Sequence, residues 1–562
     1  MKSNSGANLR TGGQILVDCL EAQDVEHAFC VPGESYLAAL DAFHDSDISL
    51  TVCRQEGGAA MMADAAGKLT GRPGICFVTR GPGATNASAG VHIAFQDSTP
   101  MILFIGQVGR GMVEREAFQE IDYRRMFGEM TKWVAEIESA ERIPEYVTRA
   151  FHTAMSGRPG PVVLALPEDM LREYAACIIP DKVVPALAHP GAGDLDRLAD
   201  MLADAKSPLA ILGGGGWSQS ATDDFAVFAD AWDLPTCASF RCQHLMDNEH
   251  RCFAGDIGVG PNPELVKRLQ ESDLLLVLGA RLGEMTTSGY SLIDIPVPQQ
   301  KLVHVYPGAE EIGRVYQPTL GINAAMKPMA AALRQMAPPE TISWQGAGDT
   351  AHEIFEDWTK APTIPGPVQM GQVMEVLRAE LPDDTIICNG AGNYSSWPNR
   401  FFRYRTFGSL LGPSSGSMGY GTPAAVAAKQ LYPDRMVVAF AGDGCFMMNG
   451  QELATAVQYD VPILIIIVNN GMYGTIRMHQ EREYPARISA TQLQNPDFAA
   501  LAKAYGAHGE LVEETAQFAP ALERCFSSGK AALIEIRIDP QAITPNITLD
   551  KIRAAALAKK SD

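Results

Sequence analysis

The chain has 562 residues, well beyond a single hydrophobic core, and at roughly 150 residues per domain this length predicts three or four domains. Acidic residues outnumber basic ones 66 to 45, and the formal charge of -21 repels phosphate backbones and anionic bilayers, which disfavours nucleic-acid and membrane-surface partners. Gly 52 and Pro 36 call for many tight turns without approaching a disordered or collagen-like composition. The eleven cysteines form no CxxC pair and are odd in number, which argues against a zinc site or a disulfide framework. No apolar run reaches the roughly 18 residues of a membrane span, and the start MKSNSGANLRTGG lacks the apolar core of a leader. A soluble, cytoplasmic, many-looped enzyme is expected.

In chain order, residues 74–79 (GICFVT), 101–106 (MILFIG) and 161–166 (PVVLAL) read as fully buried parallel strands alternating with helical segments. A Pro-bearing stretch, 178–189, reads as a linker. Strands at 208–216 (PLAILGGGG), 273–279 (DLLLVLG) and 301–306 (KLVHVY) follow, and the pattern fades through 338–367. A third block carries 435–441 (RMVVAFA), 461–468 (VPILIIIV) and 532–538 (ALIEIRI). The prediction is an α/β chain of three successive doubly wound parallel-sheet domains, over residues 1–175, 190–340 and 366–562.

The most informative motif is Gly442-Asp443-Gly444, followed 27 positions after the aspartate by Asn470, the second residue of Asn469-Asn470. One strand delivers Asp443 at its carboxyl end, and Gly444 is expected to turn the chain into a helix over about 447–458 whose free N–H groups face an anion. The strand over 463–468 delivers the asparagines at the same edge, where open parallel sheets bind ligands. A carboxylate and an amide oxygen suit a hard octahedral cation such as Mg²⁺ bridging to a diphosphate. Separately, GDG also reads as a strand-to-helix turn and NN as a helix cap. Together, each after a buried strand, they are far more specific.

This pattern resembles the binding motif of the thiamine diphosphate (ThDP) enzymes. The resemblance implies that Asp443, Asn470 and the backbone carbonyl of Met472 hold the metal. It implies that Gly442, Gly444, Cys445, Tyr473 and Gly474 line the cofactor, with Cys445 contributing a backbone N–H. Gly390 and Asn393, in the loop GAGN (390–393), would close over the diphosphate from the other side. In the first block the succession RQEGGAA (54–60), GPGATN (81–86) and DSTP (97–100) is similar to the pyrimidine-binding domain of that family and places its activating glutamate on Glu56. Taken alone, Glu56 reads first as a carboxylate in the first turn of a helix. In the family role, a carboxyl bonded to N1′ of the aminopyrimidine favours the imino tautomer, whose N4′ removes the C2 proton of the thiazolium. Met418, in SMGYG (417–421), matches the apolar prop under the bend of the cofactor and competes with a role as core filler. The resemblance also implies a homodimer or tetramer with active sites shared between subunits.

Within the family the chain is most similar to the acetolactate synthase branch, through EAFQE (116–120) with Asp122, SMGYGTPAA and GDGCFMMNGQELATAVQYDVP. Gln119 then stands as a neutral hydrogen-bonding group near the substrate. The implied activity is ThDP- and Mg²⁺-dependent decarboxylation of a pyruvate-like 2-keto acid with carboligation to a carbonyl acceptor, a transferase or lyase reaction. Gly283-Glu284-Met285 replaces an Asp-Asp-Arg run of that branch and removes an arginine contact to the acceptor's carboxylate. A neutral acceptor such as an aldehyde gains ground, and the alternatives are a 2-keto acid decarboxylase or a benzaldehyde lyase-like acyloin lyase/ligase. Ile476 and His479 differ from the branch's Val and Trp and would reshape the substrate pocket, His479 also reading as an exposed helix residue. Glu34 and Ser35 would bring a second carboxyl near the cofactor, or lie on a solvated loop. Gly213 to Gly216 raises the possibility of FAD, but neither GxGxxG nor a following acidic segment accompanies it, Tyr306-Pro307-Gly308 standing there instead. No flavin is expected.

Overall fold

The computed structural model describes residues 9–561, which form two compact units. The first takes the chain through Ala186 together with Val426–Leu431, and the second takes Leu187–Ala425 and the chain from Tyr432. Each six-stranded sheet in them is entirely parallel.

The first unit contains β1 (His27–Cys30), β2 (Ser49–Val52), β3 (Gly74–Val78), β4 (Met101–Gln107), β5 (Trp133–Glu136) and β6 (Pro161–Pro167) in the order 2-1-3-4-6-5. Strands β3, β4 and β6 are buried throughout, because helices cover both faces; that is why they read as unbroken apolar runs. The edge strands β2 and β5 are short and half-exposed, with no comparable run. Two helices position functional groups: α1 (Glu56–Thr70) after β2 and α2 (Gly81–Asp97) after β3. A short antiparallel ladder pairs Arg10–Thr11 with Tyr174–Ala175.

The second unit holds two sheets. The central one comprises β7 (Pro208–Leu212), β8 (Thr236–Ala238), β9 (Phe253–Asp256), β10 (Leu274–Leu278), β11 (Lys301–Tyr306) and β12 (Leu320–Asn323), ordered 9-8-7-10-11-12. This is the dinucleotide-fold order, with its reversal between β7 and β10. The last sheet comprises β13 (Ile386–Asn389), β14 (Leu410–Leu411), β15 (Val437–Gly442), β16 (Leu464–Asn469), β17 (His508–Val512) and β18 (Ala532–Arg537), ordered 14-13-15-16-18-17. Renumbered from its own first strand, that order repeats the one in the first unit. The reversal falls between β13 and β15, so the crevice beyond their carboxyl ends is the expected ligand position.

Two local expectations change. The helix expected over about 447–458 begins at Asp443 itself and divides into α3 (Asp443–Asn449) and a second segment, Glu452–Gln458. Gly444 therefore lies inside a first helical turn, and its lack of a side chain serves packing: a Cβ there would sit 2.6 Å from Cε1 of Tyr473. The stretch 338–367, in which the sheet pattern fades, contains the helix Ala347–Trp358, held by Phe355 against Phe253 of β9. After β16 come α4 (Gly474–Glu483) and, at the end of the chain, α5 (Leu549–Ser561). Among the described residues no helix is long and apolar enough to cross a membrane.

Candidate active site

At the reversal point of the last sheet, four loops converge on one edge. Gly390 follows β13, and its N–H donates to the Tyr394 hydroxyl at 3.0 Å. That hydroxyl lies 3.2 Å from the Cys445 sulfur, to which the N–H of Gly419 also donates at 3.2 Å. The Cys445 thiol thus ties the loops after β13 and before Gly421 to the first turn of α3, and its side chain faces protein. A Cβ on Gly390 would meet that sulfur at 2.5 Å, so the glycine is demanded by close approach. Met418 is half-buried beside Gly419 and packs on the core of this sheet.

Asp443 opens α3 at the end of β15 and is 3% exposed. Burial pushes its carboxyl up from the usual carboxylate range, while a hydrogen bond from the Asn495 amide, 2.7 Å to Oδ2, pulls it down. The same amide nitrogen donates to Asn469 Oδ1 at 3.1 Å, which also accepts from Gly471 N–H at 3.0 Å. Asn469 in turn donates to the buried Glu535 at 2.8 Å, so this asparagine is a strut between strands. Its neighbour Asn470 accepts from the N–H of Met472 at 3.3 Å, and Met472 bridges to Gln492. Asn393 is brought to the same place: its N–H donates to Thr475 Oγ1 at 3.0 Å, and that hydroxyl donates back to Asn393 Oδ1 at 2.9 Å. Gly474 stands where a Cβ would be 2.9 Å from Asn470 Nδ2. Ile476 and His479 lie on the exposed side of the first turns of α4.

These residues fit a divalent cation and a diphosphate. No basic side chain pairs with the buried Asp443 carboxylate among the described residues, and a cation beside it would reverse its desolvation penalty. The Asp443 carboxylate, the Asn470 amide oxygen and the Met472 carbonyl are all hard oxygen donors. The first turn of α3 presents backbone N–H groups of the kind that receive an anion, with the rings of Tyr394 and Tyr473 against Gly442 and Gly444. No group of three His, Cys, Asp or Glu suited to a metal exists among the described residues.

A second cluster stands at the carboxyl edge of the first unit's sheet. Glu56 is the first residue of α1, capped by Gln55, and its Oε2 accepts from Asn86 Nδ2 at 2.9 Å. Gly83 lies alongside; a Cβ there would be 3.4 Å from Glu56 Oε1. Gln119 takes a left-handed backbone, φ +64°, and its carbonyl accepts from Gly81 N–H at 3.0 Å. The Glu120 carboxylate staples this loop through the N–H groups of Glu114 and Ala117, at 2.7 and 2.9 Å. Ser35 is buried and hydrogen-bonded to Thr79 at 2.9 Å. Glu34 is an exposed carboxylate paired with the buried Arg80 at 2.7 Å, whose other terminal nitrogen donates to the Phe118 carbonyl at 3.4 Å.

Sequence reasoning missed Asn495, which orients Asp443, and Tyr394, which braces Gly390. Asn495 lies 52 positions from its partner, and its one signal is the Asn-Pro-Asp step before the helix Phe498–Ala504. In the central sheet, the reversal point is filled by Trp217, whose indole donates to Gly213 O at 2.9 Å, and Gly214 lies so close to the Gly279 carbonyl that a Cβ would be 2.1 Å from it.

Three families match in succession: thiamine pyrophosphate enzyme, N-terminal TPP binding domain, over residues 10–126; the central domain over 195–335; and the C-terminal TPP binding domain over 390–536. The chain is 31% identical to the acetolactate synthase large subunit of Corynebacterium glutamicum, over 92% of this chain and 84% of that one. It is 30% identical to the acetolactate synthase isozyme 2 large subunit of Escherichia coli, covering 94% and 95%, and 30% identical to a probable acetolactate synthase large subunit of Methanocaldococcus jannaschii, covering 95% and 93%. The chain therefore belongs to the thiamine diphosphate enzyme family, on its acetolactate synthase-like branch.

Proposed function

We propose that the protein decarboxylates a pyruvate-like 2-keto acid with ThDP and Mg²⁺ and transfers the acyl unit to a carbonyl acceptor. The observation that carries this reading is the convergence of Asp443, Asn470 and Met472 with the Gly390 and Gly442 turns at the reversal point of the last sheet, in a chain whose relatives are named acetolactate synthases. When bound, ThDP supplies a nucleophilic carbon and a sink for the electron pair released as CO₂ leaves.

The chain's own residues do the rest. Asp443, Asn470 and the Met472 carbonyl would hold Mg²⁺, and the first turn of α3, with Cys445 contributing a backbone N–H, would receive the diphosphate. Tyr473 packs against Gly444 and, with Gly474, lines the entry to α4 beside it. Asn86 engages Oε2 of Glu56, and Oε1 would be the oxygen that meets the cofactor's pyrimidine and supplies it with a proton-exchanging carboxyl. Met418 would be the apolar support for the cofactor, and the Gln119 amide would offer a neutral hydrogen bond to the substrate oxygen. Ile476 and His479 face the substrate. The ion pair with Arg80 engages the Glu34 carboxylate in holding its own loop to the loop of Phe118.

Glu284 and Met285 are exposed where the branch carries its arginine, and the nearby Arg281 is paired with Glu311 at 3.4 Å, which supports a neutral acceptor such as an aldehyde over a second keto acid. Domains over residues 1–175, 190–340 and 366–562, a homodimer or tetramer sharing sites, and a cytoplasmic location complete the proposal. Trp217 in the central crevice supports a middle domain without FAD. The test is to mix protein, ThDP, Mg²⁺ and pyruvate, with and without aldehydes, and identify products. Release of CO₂ with a hydroxy ketone or acetolactate is expected; free aldehyde as the only product points to a simple decarboxylase, and no CO₂ from any of a panel of 2-keto acids refutes the reading.

A further inference from the structure

One buried cation in the central sheet is used by none of this chemistry. Arg241 follows β8 and is 6% exposed. Its backbone takes φ +62°, in the left-handed region that a long side chain adopts only at a cost, and such strain clusters at functional places. From there Nη2 donates to the carbonyl oxygen of Gly390 at 2.5 Å, across 149 positions of sequence. Gly412 keeps its path open: a Cβ there would lie 2.9 Å from Arg241 Nη1 and 2.9 Å from Asn389 Oδ1.

The peptide that Arg241 grips is the first of the Gly390 loop. A trans peptide points its C=O and N–H to opposite sides, so an oxygen held by Arg241 turns the Ala391 N–H the other way. Neither that N–H nor the next, on Gly392, donates to a protein acceptor among the described residues. Gly392 takes φ +146° and ψ 165°, a backbone region essentially confined to glycine, which sets the course of the loop beyond that peptide. A charged donor on the oxygen also polarises the peptide and strengthens its N–H as a donor.

We propose that Arg241 is a positioning residue for the cofactor's diphosphate. It aims the Ala391 N–H at that anion and sets a fixed positive charge behind it. The proposal rests on the reading of the Gly390 loop as part of the diphosphate cradle, and its test separates the two. ThDP is titrated calorimetrically into the full-length protein at saturating Mg²⁺, and the ThDP-induced rise in Tm is measured alongside. Arg241→Met is expected to raise the Kd about tenfold or more, and Arg241→Lys to recover part of the loss. Gly412→Ala, which keeps the charge but crowds the guanidinium, is expected to shift the Kd in the same direction; it carries the test if Arg241→Met does not fold. An unchanged Kd in Arg241→Met and Gly412→Ala overturns the proposal, as does a fall in the cofactor-free Tm with ThDP affinity intact. Asp443→Asn binding ThDP as tightly as the unaltered protein would instead refute the cradle itself.

Discussion

Glu481 offers a quantitative test of how the end of the chain is held beside the proposed metal site. Its carboxylate, 1% exposed on α4, accepts a bidentate pair from Arg553 of α5, at 2.7 Å to each oxygen, a bond from Arg477 at 3.0 Å and one from the Ala486 N–H at 2.9 Å. Below this pair, Leu549 and Ile552 of α5 pack with Ile543, against Met472 and Met478. Hydrogen bonds from Arg553, opposed by burial and joined by the other partners, hold the Glu481 carboxyl down at about 2, from an ordinary 4.5. A folded-state pKa that is depressed means stability fully present above pH 4.5 and lost as pH falls toward 2. The difference amounts to about 3 kcal/mol at neutral pH.

Glu481→Gln removes that contribution and leaves Arg477, 8% exposed, without its carboxylate, a change of about 3 to 5 kcal/mol for a broken buried pair. Because the chain has several domains, the readout is local: hydrogen exchange of the α5 amides, which reports the opening of that segment. An increase of about a hundredfold or more is expected at pH 7, and a loss of protection of about twentyfold in the unaltered protein between pH 5 and pH 3 after correction for intrinsic rates. Unchanged α5 protection in Glu481→Gln, or an α5 as protected at pH 3 as at pH 6, would refute the reasoning.

Glu56→Gln is expected to lower turnover about 10²- to 10⁴-fold with ThDP affinity retained, by steady-state kinetics beside calorimetric titration; full activity would discard the proton role of Glu56. Asn495→Leu removes the amide that orients Asp443 and should weaken Mg²⁺-dependent ThDP binding about 10- to 100-fold, in a titration at fixed ThDP and varied Mg²⁺. Gly444→Ala forces Tyr473 aside from a 2.6 Å approach, and the strain of about 1 to 3 kcal/mol should appear as a lower Tm and weaker ThDP binding; neither change would mean that the turn relaxes freely.

The strands legible in the sequence were those buried on both faces. GICFVT, MILFIG and VPILIIIV lie in the middles of their sheets, where helices on both sides require continuous apolar side chains. Edge strands such as Ser49–Val52 and Leu320–Asn323 need only alternate inside and outside residues, and in four positions that pattern is indistinguishable from a loop. The extent of α3 was misread because Gly444 is a turn signal by composition, whereas here it answers the ring of Tyr473, 29 positions away.

The proposed site divides along the same line. Asp443 and Asn470 stand out in sequence because each follows its own buried strand at once, so strand geometry alone brings them to one edge. Asn495 and Arg241 carry no such mark; each reaches the site from a distant loop, and only the strand order 14-13-15-16-18-17 and its neighbouring central sheet make them neighbours, whereas Tyr394 follows Gly390 by four positions and was missed because its hydroxyl's task, on the Cys445 sulfur 51 positions on, shows only in three dimensions. A motif announces the groups that touch a ligand when they share a local turn. The groups that hold those in place are recruited through space, by burial and hydrogen-bond demand, and the chain settles them only once the sheets have assembled.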